Sequence, residues 1–216
     1  MSAKRFDERF DHGTTAMRSA RRIETHRSLC WVPLWHATRP GLGLEHVLVS
    51  SGRADSVLLA IDEDDAPFRL SYQLRWNARG LLRRAELKVR KGSAVRYLFL
   101  RVDHFGTWRG KDGEHLARLD GCVDIDIWPT PLTNSFPIWR SRMRIGERRE
   151  FKMAWVSAPD LTVEPKAQAY TRLDDRRYLF ESLDGTGFEA VLPVDDDGFV
   201  LDYPDLFSRV PERGDA

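Results

Sequence analysis

The chain has 216 residues, of which 42% are apolar and 31% charged, and its formal net charge is +1. That balance excludes a disordered chain, and the near-zero charge leaves only local basic stretches to argue for nucleic acid or an anionic membrane. Two cysteines far apart, Cys30 and Cys122, exclude a disulfide scaffold and a zinc ribbon, and no apolar run approaches the roughly 20 residues of a membrane-spanning helix.

Residues 1–29 are charged, poor in aliphatics and without the apolar core of a secretory signal. Asp7, Glu8, Asp11 and Glu24 also speak against a transit peptide. A flexible N-terminal arm with one helical turn around Thr15 to Arg22 is expected, on a cytoplasmic protein. From Cys30 the texture changes, and residues 30–216 read as a single domain. "RLSYQLRW" sets Leu70, Tyr72, Leu74 and Trp76 against Arg69, Ser71, Gln73 and Arg75, and "RAELKVR" repeats the pattern with Ala85, Leu87 and Val89 inward. A period of two bounded by turn residues is the signature of half-buried antiparallel strands. Further strands are predicted at "AVRYLFLRV", "GCVDIDI", "IWRSRMRI", "REFKMAWVS", "KAQAYTRL", "RRYLFES", "GFEAVLPV" and "GFVLDY". Asn77 to Gly80, Lys91-Gly92, Gly110 to Gly113, Asp184-Gly185 and Asp195 to Gly198 supply turns between them. "PDLFSRV" reads as a short C-terminal helix. The fold class is therefore all-β: one curled antiparallel sheet, a spiral β-roll or barrel-like closure.

The chemistry concentrates in "GCVDIDIWPTPLTNSFPIWR", Gly121 to Arg140. Alternation puts Val123, Ile125 and Ile127 on one face and Cys122, Asp124 and Asp126 on the other, the carboxylates roughly 7 Å apart. They could ligate a hard cation, act as acid and base, or meet solvent. In "TPLTNSFP" two prolines fix φ, while Thr133 and Asn134 suit an Asx-turn or a rigid loop that points an amide and a hydroxyl at a polar ligand. "RSRMRI" would line up Arg140, Arg142 and Arg144 for phosphate or carboxylate, or leave them in water. "VDDDGFVLDYP" fails as a calcium loop, since Pro193 and Pro204 fall at the first and last ligand positions. No G-x-S-x-G, HExxH, P-loop or G-x-G-x-x-G occurs, and six histidines lack ligand spacing, so no catalytic residue, metal or cofactor is assigned. Seven Trp and five Tyr would suit both a core and a concave groove for a ligand with sugar and lipid parts.

The order "GCVDIDIWPTPLTNSFPIWR", "AWVSAPDL", "QAY", "GFVLDYPDLFSR" resembles the glycolipid-binding family of small bacterial proteins with a spiral β-roll. The likeness runs from about Trp35 to Arg209. It implies a lipid or glycolipid ligand and no catalytic residues. On that resemblance the ligand-binding candidates are Trp35, Glu45, Tyr72, Trp108, Asp124, Asp126, Thr133, Asn134, Arg140, Trp155, Gln168, Tyr170 and Tyr203. Other residues matching the family pattern include Thr130, Pro131, Pro137 and Ile138. The chain departs from it at Trp139, where the pattern has arginine. The first reading is thus a non-enzymatic lipid- or glycolipid-binding protein without nucleic-acid partners. The second is an enzyme on a small glycosylated or lipid-like substrate that uses Asp124 and Asp126. A third is a partner-binding module built on the arginine row.

Overall fold

The computed structural model describes residues 26–36 and 40–211. Their alternating segments, which from Gly43 to Lys91 bury every second residue on the inward face, fold into strands. In chain order these are β1 (Arg27–Pro33), β2 (Gly43–Ser50), β3 (Arg53–Ile61), β4 (Pro67–Trp76), β5 (Leu82–Lys91), β6 (Ala94–Val102) and β7 (Trp108–Arg109). Then come β8 (Asp124–Trp128), α1 (Ser135–Ser141), β9 (Arg148–Ser157), β10 (Thr162–Arg172), β11 (Arg177–Ser182), β12 (Glu189–Pro193), β13 (Asp202–Tyr203) and β14 (Phe207–Arg209). On β4, Phe68, Leu70, Tyr72 and Leu74 are buried while Arg69 and Arg75 are exposed, as a period of two requires. Turns close through Asx geometry: Asn77 Oδ1 accepts the amides of Arg79 and Leu81, and Asp195 Oδ1 those of Asp197 and Phe199.

The all-β class and the curled sheet hold, and hydrogen bonding refines them into two sheets. One has nine strands in the order β13-β14-β1-β2-β3-β4-β5-β6-β7, the other five in the order β12-β11-β10-β9-β8. Every pairing is antiparallel except β8 with β9, where Asp126 faces Trp155 in parallel register. Parallel neighbours cannot be joined by a hairpin, so the chain must cross back between them. Residues 129–147, with α1 inside them, make that crossing.

Three expectations are corrected here. "IWRSRMRI" is no strand: residues up to Ser141 belong to α1, and Arg142 ends it in the left-handed region at φ 44°. Leu132, Phe136 and Trp139 recur at helical spacing and pack into the core, and Pro137 sits in the first turn, where its missing N–H costs nothing. The arginine row is therefore broken. "PDLFSRV" is no helix either: Phe207–Arg209 is strand β14, paired with the edge of β1 through Trp31 with Arg209 and Pro33 with Phe207. The short α-helix lies in mid-chain instead. Finally, Arg27 to Leu29, assigned to the N-terminal arm, already belong to β1. Residues 1–25, with the turn expected at Thr15 to Arg22, lie outside the described residues.

One contiguous core joins both sheets, with Trp31, Leu58, Leu70 and Tyr72 from the first and Ile125, Val156, Tyr170 and Phe180 from the second. Among the described residues no helix is long and apolar enough to cross a membrane.

Candidate functional site

Two inward strand positions that alternation reserves for apolar side chains are polar: Glu45 on β2 and Ser56 on β3. Glu45 is fully buried. Its Oε1 accepts from Ser56 Oγ at 2.8 Å and from the Tyr72 hydroxyl at 2.7 Å, and its Oε2 accepts from Thr130 Oγ1 at 2.8 Å. Burial pushes this carboxyl up to about 7, and the three hydroxyl donors offset only part of that. Thr130 Oγ1 in turn accepts the amide of Leu132 at 3.1 Å. Glu45 thereby ties the crossing segment, which starts in the second sheet, to three strands of the first.

A second polar cluster lies on β8 and β10. Asp124 and Asp126 do share a face, and that face is largely covered rather than open to water: Asp124 is buried and Asp126 half-buried. Asp124 is 0% exposed and forms an ion pair with Arg140, which also donates to the carbonyl of Val123 at 3.0 Å. Burial raises the Asp124 carboxyl to about 7, against the Arg140 charge and a backbone hydrogen bond from the Leu82 amide. Asp126 accepts from Thr133 Oγ1 at 3.0 Å and from Gln168 Nε2, and burial raises it also. Asn134 caps nothing: its amide donates to the Tyr170 hydroxyl at 2.9 Å. Burial and then the Asp126 charge hold Tyr170 and Tyr203 well above the usual phenol range, so both stay protonated. Among the described residues, the buried Gln168 Oε1 of this cluster and the buried Ser135 Oγ of α1 have no hydrogen-bond partner.

Aromatic rings run from this cluster to the half-buried Trp35. Tyr170 meets Phe180 at 5.4 Å between centroids, Phe180 meets Tyr203 at 6.0 Å, Tyr203 meets Phe207 at 6.3 Å, and Phe207 meets Trp35 at 5.3 Å. Trp155 flanks Asp126 across the β8–β9 pair and carries the Lys166 ammonium 3.5 Å from its ring centroid. Of the candidates, Glu45 and Tyr72 form the first network. Asp124, Asp126, Thr133, Asn134, Arg140, Gln168 and Tyr170 form the second, and Trp35, Trp155 and Tyr203 border it. Trp108 joins neither; it is fully buried and donates to the carbonyl of Cys122 at 2.9 Å.

The candidates omitted Ser56, Thr130 and Ser135. Ser56 was legible as a polar residue at an inward strand position, between Ala54 and Leu58. Thr130 and Ser135 carry no such signal, because their burial comes from the crossing segment. Asp126 spends both oxygens on its own chain and Asp124 is ion-paired, so neither stands as a free acid or base. Among the described residues, no three or more His, Cys, Asp or Glu side chains are grouped to hold a metal ion.

Comparison with known proteins agrees with this architecture. The model of a family described as "Putative glycolipid-binding" matches residues 33–209. The crystal structure of a DUF1089 family protein from Pseudomonas aeruginosa superposes with a TM-score of 0.77 at 45% identity, over 82% of this chain and 96% of that one. No curated protein matches.

Proposed function

This chain belongs to the glycolipid-binding family, and on that premise we propose that it is a non-enzymatic binding protein for a lipid or glycolipid. The observation that carries the reading is the pair of orphaned buried atoms, Ser135 Oγ and Gln168 Oε1. An amide oxygen can only accept, and a buried acceptor left unpaired costs about 1–3 kcal/mol. What would satisfy them is a ligand rich in O–H donors. A sugar head group is such a ligand, whereas a phosphate brings further acceptors. Arg140, Asn134 and Gln168 would orient the head group, and the rings from Tyr170 to Trp35 would take the apolar part. Aromatic faces suit acyl chains and the apolar faces of sugars alike.

The test is native mass spectrometry after detergent-free purification, followed by titration with octyl glucoside and with octanol as the sugar-free control. A bound lipid-like mass, or saturable binding of the glucoside that Gln168→Leu weakens at least tenfold, supports the reading. Ligand-free protein that takes up neither probe overturns it. Equal uptake of glucoside and octanol would keep a lipid site and remove the sugar from it.

A further inference from the structure

The strand registers place four rows of side chains on the outer face of the nine-stranded sheet. They read Leu44-Leu59-Arg69-Arg90-Val95, His46-Val57-Ser71-Lys88-Tyr97, Leu48-Asp55-Gln73-Glu86-Phe99 and Ser50-Arg53-Arg75-Arg84-Arg101 across β2 to β6. A solvated outer face should be polar throughout, and on β2 and β3 this one is not. Leu48 and Leu59 are each 53% exposed, Tyr97 is 71% exposed, and Leu44 and Val57 are exposed beside them. Leu44 and Leu59 are direct cross-strand partners, so the aliphatic side chains form one patch on β2 and β3. Next to it, on β4 to β6, lies a basic band. The four rows hold seven Lys and Arg and two carboxylates, a net +5 on a chain whose total is +1. Both carboxylates are already used within the face, Asp55 by Arg53 and Glu86 by Arg84. Arg69, Arg75, Arg90 and Arg101 make no ion pair with any described residue.

We infer that this outer face docks on an anionic lipid surface. Exposed aliphatics enter the headgroup boundary and the adjoining cations meet the lipid charge, the combination that holds proteins on such surfaces. Nucleic acid would use the cations and the rings of Tyr97 and Phe99 but would have no use for four exposed aliphatics. The inference is independent of the buried polar cluster, because its residues lie on the opposite side of the sheet from Glu45 and Tyr72.

Co-flotation with vesicles that contain no glycolipid tests it: pure phosphatidylcholine, and phosphatidylcholine mixed equally with phosphatidylglycerol. The protein should float with the mixed vesicles alone and be released by salt. Arg69→Ala and Arg90→Ala should each weaken binding about fivefold and together about 25-fold. Leu59→Ser should weaken it with the charge unchanged, while all three variants keep the wild-type melting transition and octyl glucoside response. No flotation with anionic vesicles, or binding that the arginine variants leave unchanged, overturns the inference. So does a dimer in sedimentation that Leu59→Ser dissociates, or tight binding of single-stranded RNA in place of vesicles.

Discussion

Asn134 gives its side-chain amide to Tyr170 inside the protein, and this decides how its substitutions behave. Asn134→Ala leaves the Tyr170 hydroxyl without its partner and should cost about 1–3 kcal/mol in urea melts. Asn134→Asp lets Tyr170 donate back, but it buries a further carboxylate beside Asp124 and Asp126. It should be the worse of the two at pH 8 and recover toward pH 5 as the new carboxyl protonates. Equal costs at both pH values would reduce this residue to a simple hydrogen bond. Glu45 offers a second pH test. Its folded value, about 7, lies above the ordinary carboxyl value of 4.5, so between these limits the folded state holds more protons than the unfolded one. Stability from this group is therefore full below about 4.5 and is lost as pH rises through about 7. Glu45→Gln removes the titration and keeps the shape. The variant should gain on wild type by about 3 kcal/mol between those limits, at 1.36 kcal/mol per unit. A constant difference across that window would show that Glu45 does not titrate there.

At the scale of the element, α1 is a short helix held at its far end by one ion pair. Arg140 reaches back to Asp124 and to the carbonyl of Val123, joining the last turn of α1 to the start of β8. Truncating one partner of a buried pair is costly chiefly because the other charge is left alone. Arg140→Met should therefore destabilise by about 3 kcal/mol, and adding Asp124→Asn should return most of that. Strictly additive costs would mean that the pair does not hold the helix. This element was the least legible in the sequence. Alternating Arg, Ser and Met imitates a strand, while the helical signal in Leu132, Phe136 and Trp139 is carried by fewer residues.

For the molecule as a whole, one end of the nine-stranded sheet is built by residues far apart in sequence. β14 pairs with β1 and buries Phe207 against Trp35, Trp128 and Tyr203. Phe207→Ala should cost about 3–5 kcal/mol. A chain ending before β13 would expose the β1 edge and the rings beneath it, and it should elute as aggregates in gel filtration. A truncated chain that stays monomeric with an unchanged melt would show that this strand is dispensable.

The sequence by itself determined the all-β class, the positions of most strands and turns, and the inward sets on β4 and β5. These follow from a period of two and from Asx chemistry, which act over a few residues. It also marked Asp124 and Asp126 as lying on one face. Only the tertiary structure decided what covers that face. Periodicity separates the two sides of a strand but does not say how far each is covered. On β8, Ile125 and Ile127 are buried on one side, while on the other Asp124 is buried and Asp126 and Trp128 half-buried, with Thr133 of the crossing segment bonded to Asp126. Residues 207–209 carry no strand signal of their own; they become one because the unpaired edge of β1 supplies backbone partners. The basic outer band likewise exists only in the register. Residues such as Arg69 and Arg90 are 21 positions apart in the chain and side by side in the sheet, and a net charge of +1 hides the patch they form.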